Sequence, residues 1–373
     1  GSRGGWPVFD PRRFLILGVM AALSLPVLAM PFLPMQTVSR EENRMLAPPP
    51  SWPQDLAGWR HAPRAVDAFL ADHFALREPA IWVGARLERR LGVTAPAQAM
   101  AVIGEGGQMF LTEGLLRSTG QDVDPLRAAD YADFVCQVSR RLEARGVGFA
   151  TGLAPSPGTI LTDQTPPWAR PAVTPSDHDL ILQGLEDCAA PAIDLRPALR
   201  EAAATDRAHR LYDSHWTPWG ALAAYNRMVA ALGHADWAWA RSDLTWGEIR
   251  TDDGDLPRMA GMPPAIETLT IHHRTSLPEG AVRQDLATYG GPMPAFAVER
   301  AAPGPTVLII GDSYTADFFP SLIAERVGRM VWIHMDGCGF DWRVVEAEAP
   351  DYVLLLPAER NAMCGGQRPA GFD

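Results

Sequence analysis

Thr306-Val-Leu-Ile-Ile-Gly-Asp-Ser-Tyr-Thr315 decides the fold of this chain. Residues 307–310 are apolar at every position, with no alternation. That pattern fits a strand covered on both faces, as in a parallel sheet flanked by helices. Gly311-Asp312-Ser313 then breaks the run just before a helical stretch. In open α/β sheets, ligands bind beyond the carboxyl ends of strands, where loops lead into helices. Ser313 is thereby displayed at that edge, with backbone N–H groups close enough to hold an oxyanion. The structural alternative is that Asp312 or Ser313 only caps the helix.

The same strand–helix unit repeats outward from this segment. Downstream lie a helix over Ala316 to Val327, a strand over Met330 to His334, a short helix around Trp342 to Ala347 and a strand over Tyr352 to Leu356. Upstream, an amphipathic helix over Leu126 to Arg145 is stopped by Gly146. A strand over Val147 to Leu153, a helix over Asp177 to Glu186 and a strand over Ala192 to Leu195 follow. Such alternation predicts an α/β fold, a parallel sheet with helices on both faces. Residues 235–305 are rich in turn formers and read as an irregular insertion. Ala101 to Leu111 reads as a hairpin around a Gly-rich turn. Ala65 to Leu91 has helical periodicity, with Pro79 marking a break between two helices. These readings divide the chain into a short cytoplasmic tail (1–13), a transmembrane anchor (14–34), a Pro-rich connector (35–60) and one domain (61–373).

The anchor rests on Phe14 to Pro34, an uncharged and largely apolar stretch preceded by Arg12 and Arg13. About 20 apolar residues span a bilayer, and flanking arginines keep their side cytoplasmic. A cleaved signal peptide is the competing reading. With an anchor, the domain lies in the periplasm, held to the inner membrane. The four cysteines show no metal-ligand spacing, and in an exported domain their even count favours disulfides. Cys338 with Cys364, and Cys136 with Cys188, is the favoured pairing among three connectivities.

Composition narrows the chemistry. The formal net charge of −11 leaves no basic excess for nucleic acid. All 33 basic residues are arginine. With no lysine, Schiff bases, P-loop nucleotide binding and Ser–Lys dyads are excluded. No cofactor or metal is expected, since His178, His272 and His273 form no ligand pattern. The segment Tyr212-Asp-Ser-His-Trp-Thr-Pro-Trp-Gly-Ala221 supplies the other half of a reaction. A carboxylate two residues before a histidine can accept from Nδ1–H, leaving Nε2 free to take a proton from a serine. Thr217 and Pro218 mark a helix start. Asp213, His215 and Ser313 therefore cover the three roles of serine acyl transfer.

These two segments, together with Gly254-Asp-Leu256, the ENRMLAPPP of residues 42–50, the DHFALRE of 72–78 and the PDYVLLLPAERN of 350–361, occur in an order that resembles the alginate O-acetyltransferase-like (DHHW) branch of the SGNH hydrolase superfamily. In that branch the Asp-x-His motif precedes the serine, as here. The resemblance implies an SGNH-like α/β fold and a periplasmic O-acetyltransferase. It would work beside a membrane-bound O-acyltransferase that delivers acetyl groups, with an exported polysaccharide as acceptor. By position, Ser313 matches the nucleophile, His215 the base and Asp213 its orienting partner. Arg360 and Tyr314 are implied near the substrate. Trp216 is either a platform for a sugar ring or a core tryptophan. One departure stands out: Gly158 occupies a place where relatives often carry lysine, which separates this chain from a simple alginate enzyme. A polysaccharide acetylesterase uses the same parts with water as acceptor. A silent polymer-binding accessory uses the fold without the chemistry.

Overall fold

The computed structural model describes residues 15–16, 18–20, 24, 28–32, 34–39, 42, 44–53, 55–92, 95–170, 175–289, 293–335 and 337–364. The chain divides into two compact units, 1–93 and 94–373. The first holds a two-stranded ribbon, β1 (Val38–Ser39) and β2 (Arg44–Met45), and two helices, Leu56–His73 and Arg77–Leu91. Within it, Asp72 accepts from the Ala47 N–H at 2.8 Å and His73 Nε2 meets the Ala47 carbonyl at 2.9 Å. The helix break falls at Phe74–Leu76 rather than at Pro79. Pro79 sits in the first turn of the second helix, where a missing N–H costs nothing. Of the 21 residues of the proposed membrane span, nine lie outside the described residues. Among the described residues no helix is long and apolar enough to cross a membrane.

The second unit opens on the hairpin β3 (Ala101–Ile103) and β4 (Met109–Leu111), as its Gly-rich turn foretells. Its central sheet is built from β5 (Gly148–Gly152), β6 (Ala192–Ile193), β9 (Val282–Asp285), β10 (Phe296–Glu299), β11 (Thr306–Gly311), β12 (Arg329–His334) and β13 (Tyr352–Leu356). The strand order is β6-β5-β13-β11-β12-β10-β9. The first five run parallel. β10 pairs antiparallel with β12, and β9 antiparallel with β10. The sheet is therefore mixed, and residues 235–305 are not simply irregular. They extend the sheet by two strands and also carry a separate hairpin, β7 (Trp246–Thr251) with β8 (Glu267–His272).

The unbroken apolar runs are explained by the two cores. Val307 and Ile309 share one buried cluster with Met330, Trp332, Leu354 and Leu356. Their neighbours Leu308 and Ile310 share the other with Val331, Ile333, Val353 and Leu355. Side chains alternate across a strand, so a strand apolar at every position feeds a core on each side. Ile309→Ala, at a fully buried position on the central strand, should cost about 2–5 kcal/mol in a denaturant titration. A loss below about 1 kcal/mol would mean that this face of the sheet is not close-packed. Two disulfides, Cys136–Cys188 and Cys338–Cys364, match the favoured pairing.

Candidate active site

β11 ends at Gly311, where a side chain has no room: an added Cβ would lie 2.3 Å from Thr315 Oγ1 and 2.9 Å from the Leu356 carbonyl. Asp312, extended and buried, is the N-cap of the short helix Ser313–Ala316 and accepts from the Tyr314 N–H at 3.0 Å. Its other oxygen accepts from the Ala358 N–H and from Asn361 Nδ2, both at 2.7 Å. Capping is thus done by Asp312, and the Ser313 hydroxyl is left for another partner. The loop after β13 is tied in turn to the loop after β5. Ala154 bridges Ala358, and Glu359 accepts from the Ser156 N–H, Thr159 Oγ1 and His178 Nδ1 at 3.1, 2.6 and 2.9 Å. Three neighbouring strand ends are fastened into one floor beneath Ser313.

His215 arrives from a tight loop ahead of the helix Pro218–Ala231. The loop closes on itself through an antiparallel bridge between His209 and Trp216 and through Arg210 N–H to the His215 carbonyl at 3.1 Å. Within it, Asp213 Oδ1 meets His215 Nδ1 at 2.7 Å and also accepts from the His215 N–H at 2.9 Å. His215 Nε2 meets Ser313 Oγ at 2.7 Å. An ionised carboxylate only accepts, so Nδ1 carries the ring proton and Nε2 accepts from the serine hydroxyl. The structure therefore brings Ser313, His215 and Asp213 into one hydrogen-bonded chain from 98 residues apart in sequence.

Charge favours that polarity. Burial pushes Asp213 toward its neutral form, but the bond from His215, the charge of the ring and Arg210 outweigh it and hold the carboxyl down to about 2. Arg210 Nη1 lies 3.4 Å from Asp213 Oδ2, and the same guanidinium is held by Asp253 and buried Glu267. Burial lowers the pKa of His215; the bond to Asp213 and its charge overcome this, and the net direction is upward. A raised histidine is a stronger base once deprotonated.

Tyr314 is placed differently from the sequence expectation, and Trp216 takes the core alternative. Trp216 is 1% exposed, stacks on Phe319 at 5.8 Å between ring centres and donates Nε1–H to the Tyr314 carbonyl at 2.9 Å. No sugar can reach its face, because the core covers it. Tyr314 is sealed as well, and its hydroxyl donates to the Ser214 carbonyl. Both rings act as struts between the serine turn and the histidine loop. Arg360 is part-buried; its Nη1 donates to the Tyr314 hydroxyl at 3.3 Å, and it lines a narrow crevice with Gly114, Ser156, Gly158 and Ser214.

Sequence reading passed over three positions that the structure makes prominent: Asp312 beyond its cap, Asn361, and Asp255 of the Gly-Asp-Leu motif. Asp255 holds Ser214 at both the N–H (2.9 Å) and the hydroxyl (2.7 Å). Among the described residues, Asp213, His215 and Asp255 bring donor atoms within 4.8 Å of one another. Those atoms are already engaged with Ser313, Ser214, Arg210 and each other, so the cluster is built for hydrogen bonding and not for gathering a cation.

The model of the SGNH hydrolase-like domain of the acetyltransferase AlgX matches residues 101–347. No curated protein sequence matches the chain. Among solved structures, PatB1 of Bacillus cereus with a sulfonyl adduct is 13% identical, with a TM-score of 0.51 over 70% of this chain and 97% of its own. The O-acetyltransferase domain of Pseudomonas putida AlgJ is 17% identical, with a TM-score of 0.49 over 74% of this chain and 96% of its own. Pseudomonas aeruginosa AlgX is 13% identical, with a TM-score of 0.43 over 72% and 67%. At 13% identity the likeness to PatB1 speaks for the fold alone.

Proposed function

Because the chain belongs to the SGNH hydrolase-like acetyltransferase family of AlgX, we propose that it is an O-acetyltransferase that moves an acetyl group through Ser313 to a hydroxyl of an exported polysaccharide. The observation that carries this is the unbroken run Ser313 Oγ–His215 Nε2, His215 Nδ1–Asp213, with both distances 2.7 Å. The matched family is that of an acetyltransferase, so acetyl is the group of choice.

In this reading Ser313 Oγ attacks the carbonyl carbon of the acetyl donor while its proton passes to His215 Nε2. Asp213 stabilises the imidazolium that forms. The oxyanion of the tetrahedral intermediate is met by backbone donors, the Ser313 N–H among them. Collapse breaks the bond to the donor's leaving group, which takes the proton from Nε2, and leaves acetyl-Ser313. A sugar hydroxyl then gives its proton to Nε2, attacks the acetyl carbon and departs as the ester, and the serine recovers its proton. No cofactor is required by these steps. The anchor of residues 14–34, a periplasmic position, the inner membrane and a membrane-bound O-acyltransferase as supplier belong to the same proposal, supported by the apolar stretch and its arginines.

Transfer and hydrolysis differ only in the acceptor, so the test supplies both. Acetyl-ester turnover is followed with and without acetyl-free oligosaccharides, and the sugar product is read by mass spectrometry. Acetylated sugar supports transfer. Acetate alone, with every acceptor class, would sink it in favour of an esterase.

A further inference from the structure

Asp255 lies 41 residues from Ser214 in sequence and grips it at two points, the N–H at 2.9 Å and the hydroxyl at 2.7 Å. Ser214 is the residue between Asp213 and His215, and it is 2% exposed. A bidentate grip on this residue fixes the peptide on either side, and hence the pitch of the loop that must aim Nδ1 at Asp213 and Nε2 at Ser313 together. The approach is close enough to dictate sequence. A Cβ on Gly254 would lie 2.3 Å from the Tyr212 carbonyl, and the Leu256 N–H donates to that same oxygen at 3.2 Å. Glu267, from β8, adds a bond to the Leu211 N–H at 2.8 Å and one to Arg210 Nε at 2.7 Å. The Tyr314 hydroxyl holds the Ser214 carbonyl from the opposite side.

We propose that Asp255 is a positioning residue of the acetyl-transfer centre, clamping Ser214 so that His215 meets Asp213 and Ser313 at once, and setting a second carboxylate beside the imidazole. The 235–305 region, through Asp253, Asp255 and Glu267, is then part of the active centre and not an appendage to it. This rests on the acetyl-transfer reading for its kinetic arm only. The groups that act on the His215 ring are Asp213 and Asp255, which favour the imidazolium, and Arg360, which opposes it. Asp317 and Arg210 stand further out around the same pair.

The experiment compares the full chain with Asp255→Asn, Asp255→Ala and Ser214→Ala, each checked for folding by thermal denaturation. The readouts are kcat, KM, the pH dependence of kcat/KM, and the titration of the His215 ring by NMR. Asp255→Ala should lower kcat by about 10- to 100-fold with KM little changed, as misaimed catalytic groups do. Asp255→Asn keeps the shape and can still bond Ser214, so it should recover much of kcat. Removing a nearby negative charge lowers the pKa of His215. The acid limb of the profile should therefore move to lower pH in both Asp255 variants and stay put in Ser214→Ala. The proposal is overturned if Asp255→Ala keeps kcat within twofold of wild type, or if the His215 titration is the same in wild type and Asp255→Asn. Should Ser313→Ala prove as active as wild type, the transfer reading fails by itself, and the NMR titration still judges the clamp.

Discussion

Ser313→Ala should abolish acetyl turnover, with a loss on the order of 10⁴- to 10⁶-fold in kcat. The hydroxyl is the only atom removed, and it makes the 2.7 Å bond to His215 Nε2. Without it no acyl-enzyme forms, and what remains is binding and oxyanion stabilisation acting on water. The fold should be indifferent, because Asp312 and not Ser313 caps the helix. Single-turnover acetyl release, with intact mass spectrometry to catch acetyl-Ser313 in wild type, makes the check. A variant that stays folded and keeps more than a tenth of the activity would remove the nucleophile from the mechanism. Equal inertness of wild type and variant toward every donor, with the membrane-delivered donor supplied, would leave a silent polymer-binding protein as the better description.

Asp213→Asn carries the second largest expectation, roughly a 10⁴-fold fall in kcat at neutral pH. Asparagine matches the carboxylate in shape but offers an N–H₂ to His215 Nδ1. The ring would answer by moving its proton to Nε2, the wrong tautomer for accepting one from Ser313. The charge that raises His215 would also be lost. In wild type the raised histidine places the acid limb of the pH profile above the ordinary histidine value near 6.5, with activity rising as the ring loses its proton. In the variant that limb should fall to lower pH while the plateau drops. Kinetics over pH 5–9 test both statements, and a loss under tenfold would show that Asp213 does not set the tautomer.

Much of this site was legible because its members come as two local patterns. An apolar run ending in Gly-Asp-Ser needs no knowledge of the rest of the chain to be read as a strand delivering a side chain to a sheet edge. Asp-x-His before a Thr-Pro helix start is equally local. What escaped was of another kind. β9, Val-Arg-Gln-Asp, has no buried position, so no hydrophobic pattern marks it, and the sequence by itself suggests a wholly parallel sheet. Pro79 looks like a break in sequence, but only the position of the helix start reveals that it is tolerated. Trp216 offered an aromatic face on paper, yet whether a face meets solvent or Phe319 depends on a helix a hundred residues away. Asp255 bonds to a loop 41 residues earlier, and nothing in the composition of Gly-Asp-Leu announces its partner.

The fastening of the strand ends has a kinetic meaning. The bonds that shape the floor under Ser313 join residues 46, 49 and some 200 positions apart, and the serine–histidine bond itself spans 98. Contacts so distant along the chain close only after the loops between them have lost their freedom, which makes them late events in folding. A nascent or partly unfolded chain therefore holds an ordinary serine and an ordinary histidine. In the proposed mechanism, reactivity appears together with the last long-range contacts, so the acyl-accepting group arises only when the completed sheet is there to control it.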